Sequence, residues 1–67
     1  MINKISENVR IRHEGSPFEV SYDIIVEVLR DGTWVSYQGF NSLSDDYAFT
    51  NARESALRAT KTLAFPA

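Results

Sequence analysis

The feature that most constrains this chain is the dipeptide Asp31-Gly32, set between two runs rich in β-branched and aromatic residues. Asp-Gly is a favoured central pair of the type I′ turn, where both residues take positive φ, and such a two-residue loop sets the register of the strands on either side. Arg30 then faces Thr33, Val28 faces Val35, Val26 faces Tyr37 and Ile24 faces Gly39. Phe18, Val20, Tyr22, Ile24, Val26 and Val28 all fall on even positions, so they project to one side of an extended strand and make it the core side. Glu19, Ser21, Asp23 and Glu27 lie on the other side, where the charges read as solvating groups; Ile25 and Leu29 interrupt them with apolar surface. A strand over 18–30 is long, so a bend or bulge is expected near Tyr22-Asp23.

Val9, Ile11 and His13 alternate with Arg10 and Arg12, and Glu14-Gly15-Ser16-Pro17 follows with turn residues. A four-residue loop there would set Ile11 opposite Val20, Val9 opposite Tyr22 and His13 opposite Phe18. From Ser44 the apolar period becomes helical: Ala48, Phe49, Ala52, Ala56, Ala59 and Leu63 recur at spacings of three and four. Such a face lets a helix approach a sheet closely, with Phe49 and Leu63 as its large anchors. Ser44 is the expected N-cap, with Ser42 as the alternative; Asp45-Asp46 suit the positive end of the helix dipole, and Pro66 stops the helix. The predicted architecture is α+β, a single domain over 1–67. It is a three-stranded antiparallel meander (7–13, 18–30 and 33–40) with one C-terminal helix (45–64) packed on one face, in the order β-β-β-α.

At 67 residues the core is small, and chains of this size lean on disulfides, a metal or association. With no cysteine and one histidine, neither a disulfide framework nor a Cys/His zinc cage can form, so self-association, a homodimer above all, or a protein partner is expected. A formal charge of -2 neither steers the chain toward polyanions nor mimics one. No apolar run follows Lys4 to make a signal peptide or a membrane span, and a cytoplasmic location is expected on that ground.

Catalysis finds little footing. His13 has no Cys or nucleophile-elbow Ser to work with, the adjacent Asp45-Asp46 are accounted for by capping, and Gly15, Gly32 and Gly39 are too scattered to cradle a phosphate. No catalytic, metal or cofactor site is expected. Arg10, Arg12 and Arg30 could gather into a basic patch, which makes nucleic-acid binding the alternative function. The principal candidate lies on the side of the hairpin away from the helix. There Trp34, Leu29 and Ile25, with Phe40 at the strand end, form an apolar patch that either the N-terminal segment with Ile2 and Ile5, a second subunit or another protein must cover.

The segment from Ile24 to Leu63, a hairpin, a Gly, a polar stretch and an Ala-rich helix, resembles the back half of a double-stranded-RNA-binding domain. It has Ser44-Asp45-Asp46 where that family places phosphate-gripping lysines, and no first helix. Trp34-Val35-Ser36-Tyr37, Phe40 and the Ala-spaced helix are similar to small bacterial β-β-β-α proteins and to HicB-type antitoxins, although HicB has a strand after the helix. These resemblances imply the architecture and assign no site residue. The function expected is a non-catalytic protein-interaction module of the kind used by small inhibitors from phages or mobile elements.

Overall fold

The computed structural model of this protein describes residues 1–14 and 22–64, with side chains over 1–14 and 22–62. Strands β1 (Ile2–Ser6), β2 (Val9–His13), β3 (Ile24–Arg30) and β4 (Thr33–Phe40) precede one helix, α1 (Ala48–Ala64). The strands pair antiparallel in chain order, and α1 lies on one face of the sheet. The α+β class, the antiparallel meander and the C-terminal helix agree with expectation. The described sheet, however, has four strands where three were predicted. No described helix is long and apolar enough to cross a membrane.

The additional strand is β1, in a stretch read from sequence as coil leading into one strand. A turn at Glu7-Asn8 folds it back onto β2, pairing Ile2 with Arg12, Asn3 with Ile11 and Lys4 with Arg10. The register shifts between Lys4 and Ser6, and Ile5 packs against the core. Its polar content hid the strand: Asn3 and Lys4 blunt its apolar alternation, and a lysine such as Lys4 is the residue type that protects an unpaired sheet edge.

At the hairpin Asp31 has φ 51° and Gly32 φ 78°, as a type I′ turn requires. Arg30 pairs with Thr33, Leu29 with Trp34 and Val28 with Val35, in the expected register. Beyond these pairs the register departs from expectation. Glu27 pairs with Ser36 and Val26 with Gln38, so Tyr37 is an extra residue and β4 carries a bulge there. A one-residue slip exchanges faces for everything beyond it. Gln38 takes the core-side position expected of Tyr37, where its Oε1 accepts a hydrogen bond from Ser55 Oγ at 2.6 Å. Gly39 moves opposite Ile25, and Phe40 moves opposite Ile24 onto the helix side.

The pairing of β2 with β3 also differs from the four-residue-loop expectation. Val9 pairs with Val28, Ile11 with Val26 and His13 with Ile24, and β3 starts at Ile24. Apolar alternation is satisfied by any even shift of one strand along the other. Charge distinguishes this register, because it sets Arg10 opposite Glu27. Phe18, Glu19, Val20 and the turn at 15–17 lie outside the described residues.

The core joins Val9, Ile11, Ile24, Val26 and Val28 of the sheet to Ala48, Ala52, Ala56 and Ala59 of α1, with Ile5 and Phe40 packed at its margin. The alanines contribute little apolar area of their own, and their role is to let the helix backbone descend onto the valine and isoleucine side chains, each worth about 1.5–3 kcal/mol when fully buried. Phe49 does not serve as the expected buried anchor: it stays 55% exposed at the side of the helix. The side chain of Leu63, the other expected anchor, lies outside the described part.

Gly39 is required by a close approach. A Cβ built there would sit 2.5 Å from Tyr22 Cγ, so Tyr22 lies across the glycine. Because the clash is with the root of the ring and not its tip, Gly39→Ala must displace the whole side chain. A loss of about 1 kcal/mol is expected from this overpacking. In a double-mutant cycle read by urea denaturation, Tyr22→Ala should relieve that loss; additive effects would show that the two residues do not share this space.

Candidate functional site

The sheet face away from α1 carries the side chains that alternate against the core set: Ile2 and Lys4 from β1, Arg10 and Arg12 from β2, Ile25, Glu27 and Leu29 from β3, and Trp34 from β4. Trp34, Leu29 and Ile25 thus share the open face, as expected, and all three are half-buried. Phe40 does not join them. The bulge at Tyr37 has turned it to the helix side, where it packs against the core.

The cover that the chain itself gives Trp34 is not the N-terminal segment expected as the intramolecular alternative. The N-terminal segment does not cross this face; it extends the sheet as an edge strand. Arg10 instead reaches across β3 and places its guanidinium 4.2 Å from the centroid of the Trp34 ring, a cation–π contact in which the aliphatic stem also shields apolar surface. Glu27 holds the arginine in place. Its Oε1 accepts from Arg10 Nε at 2.7 Å, and its Oε2 accepts from Arg12 Nε at 3.4 Å. Arg12 also pairs with Glu14. Burial opposes the charge on Arg12, but Glu14 and Glu27 outweigh it and raise its pKa further.

Glu27 is therefore no solvating group: it is buried and bridges two arginines. Arg30 does not belong to this cluster. It pairs with Thr33 beside the hairpin turn, on the face that carries Val28, so the structure brings Arg10 and Arg12 together and leaves Arg30 apart.

A second polar centre stands where β3 begins, and sequence reading missed it by placing Asp23 on the solvent side. Asp23 is 1% exposed. Its carboxylate accepts from the backbone N–H of Ser42 at 2.8 Å and from the Ser42 hydroxyl, with His13 Nε2 at 3.7 Å. Burial by itself pushes this carboxyl up, but the hydrogen bonds from Ser42 and from its own backbone amide, with a smaller contribution from His13, leave it below the ordinary carboxylate value. His13 sits edge-on to Phe49, with ring centroids 5.0 Å apart and an interplanar angle of 81°.

From Ser42 a relay of short polar residues carries the chain into α1. Asn41 Oδ1 accepts from the amides of Leu43 and Ser44, and the Asn41 carbonyl accepts from the amide of Asp45. Asp45 Oδ1 then accepts from Tyr47 N at 2.9 Å and its Oδ2 from Asn51 Nδ2 at 2.9 Å. Asp45, not Ser44 or Ser42, caps the entry to the helix, which begins at Ala48 and not at 45. Three neighbouring residues with capping side chains make that choice unreadable from sequence.

Among the described residues no three His, Cys, Asp or Glu side chains cluster to hold a metal ion. No protein-family model, curated protein or solved structure matches the chain.

Proposed function

We propose that this protein is a non-catalytic interaction module that binds another protein through the open face of its sheet, with Trp34, Leu29 and Ile25 as the apolar centre. The observation that carries this reading is the half-buried Trp34 on a helix-free sheet face, its guanidinium partner fixed by Glu27. A tryptophan with a rigid arginine beside it has the composition of an interface hot spot, where large amphipathic groups bind at low entropic cost. Lys4, Arg10 and Arg12 surround the apolar centre, with Glu27 between the two arginines and Glu14 paired to Arg12. A partner with carboxylates around an apolar patch would complement the cations that rim this centre, and a second copy of the chain is the alternative occupant. A small inhibitor that occupies a partner's surface is one role suited to such a module.

The test compares a tagged wild-type chain with Trp34→Ala in copurification from the native host, with circular dichroism as the fold control. The variant should keep its fold and lose its partner by about 30-fold or more, the scale of a hot-spot truncation. Retention of the same partners by the variant would sink the reading. If the wild type captures nucleic acid instead, with affinity that collapses as salt is raised, the alternative function through Arg10 and Arg12 replaces it.

A further inference from the structure

On the helix side of the sheet, α1 leaves a gap beside β1 and the outer part of β2. A concavity of about 170 Å³ remains there, lined by Met1, Asn3, Ile11, His13, Phe49 and Arg53. Its origin lies in the sequence of α1. The alanine row brings the helix down onto β2 and β3, but at the helix margin the row gives way to Phe49 and Arg53, one turn apart on the same side.

Three properties of this concavity bear on what it could hold. Its size is that of one small ring, since an apolar cavity of about 150 Å³ admits benzene. Its walls are apolar on two sides: Ile11 is buried at the sheet, while Phe49 stays more than half exposed, held edge-on by His13 and offering the rest of its surface to an occupant. Its charge has one sign. No carboxylate lines it, His13 already turns Nε2 toward Asp23, and Arg53 makes no ion pair among the described residues.

We infer that this concavity is a binding site for a small carboxylate with an apolar body, an aromatic or short aliphatic acid. The ring or chain packs between Ile11 and Phe49, and the carboxylate accepts hydrogen bonds from the Arg53 guanidinium, with the Asn3 amide as a second polar neighbour. An arginine without a carboxylate partner, on a rigid helix beside an apolar wall, supplies the planar donor fork that suits this anion. The site is on the opposite face of the sheet from Trp34, so it is independent of the protein-binding face.

The experiment is a titration of the ¹⁵N-labelled chain with sodium benzoate and, separately, with benzyl alcohol, its uncharged counterpart, followed by amide chemical shifts. Benzoate should produce saturable shifts confined to the neighbourhood of Asn3, Ile11, Phe49 and Arg53, and should bind at least fivefold more tightly than benzyl alcohol. Arg53 is exposed, so Arg53→Gln should keep the dispersed spectrum and the weak benzyl alcohol binding while losing about tenfold in benzoate affinity, the worth of a charged hydrogen bond. Benzoate shifts that do not saturate or that scatter over the surface would overturn the site. Equal affinity for the acid and the alcohol, or for wild type and variant, would overturn its selectivity for an anion.

Discussion

Asp23→Asn lowers the stability of the protein by about 2–3 kcal/mol, the largest loss expected from any near-isosteric change in the chain. The reason is the charge on the acceptor of these hydrogen bonds. Both groups that Asp23 receives from Ser42, the backbone N–H and the hydroxyl, are donors. An asparagine keeps the backbone N–H on its carbonyl oxygen, but its NH₂ can meet the Ser42 hydroxyl only by reversing that hydrogen bond, so two charge-assisted bonds become neutral ones. The position compounds the effect, since Asp23 also joins three strands through its backbone: its N–H donates to the Phe40 carbonyl at 3.1 Å, and its carbonyl accepts from Glu14 N at 2.7 Å. Ser42→Ala, which removes the hydroxyl and keeps the amide, should cost only about 1 kcal/mol.

The same carboxylate makes stability depend on acid. Its folded-state pKa lies below the value of about 3.9 that an aspartate has in an unfolded chain. A depressed pKa means that the unfolded state takes up the proton first as pH falls. The stabilisation is therefore complete above about pH 4 and is lost as the pH drops through the folded value. Urea midpoints measured at pH 7 and near pH 3 should fall further in wild type than in Asp23→Asn, which has no such proton to bind. Equal acid sensitivity of the two proteins would show that other carboxylates set the acid limit.

Ala56→Leu is expected to destabilise the fold by about 1–3 kcal/mol through overpacking, read as a lower urea midpoint with an unchanged slope. Ala56 and Ala52 are both 0% exposed and belong to the cluster that contains Ile24, Val26 and Val28. A leucine at Ala56 adds three heavy atoms where the helix backbone already rests on the sheet, so either α1 lifts or the side chain leaves its rotamer. Leu57→Ala is the control, because Leu57 is half exposed on the next position of the helix and its truncation should change stability little. Equal effects at the two sites would mean that the alanine face is not the contact surface.

Much of the candidate face is legible in the sequence. Asp31-Gly32 determined the turn, and the turn determined that Leu29 and Trp34 are neighbours on one side while Val28 and Val35 share the other. Phe40 was misplaced because a bulge at Tyr37 leaves no mark in a one-dimensional pattern: Tyr37, Gln38 and Gly39 are each tolerable on either face of a strand. What favours the bulge is tertiary. It brings Gln38 to Ser55 on the helix and sets Gly39 beneath Tyr22.

Local chemistry by itself thus determined the elements that rest on neighbours in sequence. These are the positive-φ hairpin turn, the alternation of β2 and β3, and the three-and-four spacing of alanines that makes one side of α1 small. The tertiary structure alone decided the relations between residues far apart in the chain. It made Glu27 a buried bridge between Arg10 and Arg12 and made Asp23 the acceptor that ties β3 to the helix entry. It also recruited a polar N-terminal segment as a fourth strand and kept Phe49 out of the core. The physical reason is common to all four. Periodicity reports which side of an element a residue occupies, whereas burial of a charge, pairing of an edge strand and the reach of an arginine across a sheet depend on which other side chains arrive there.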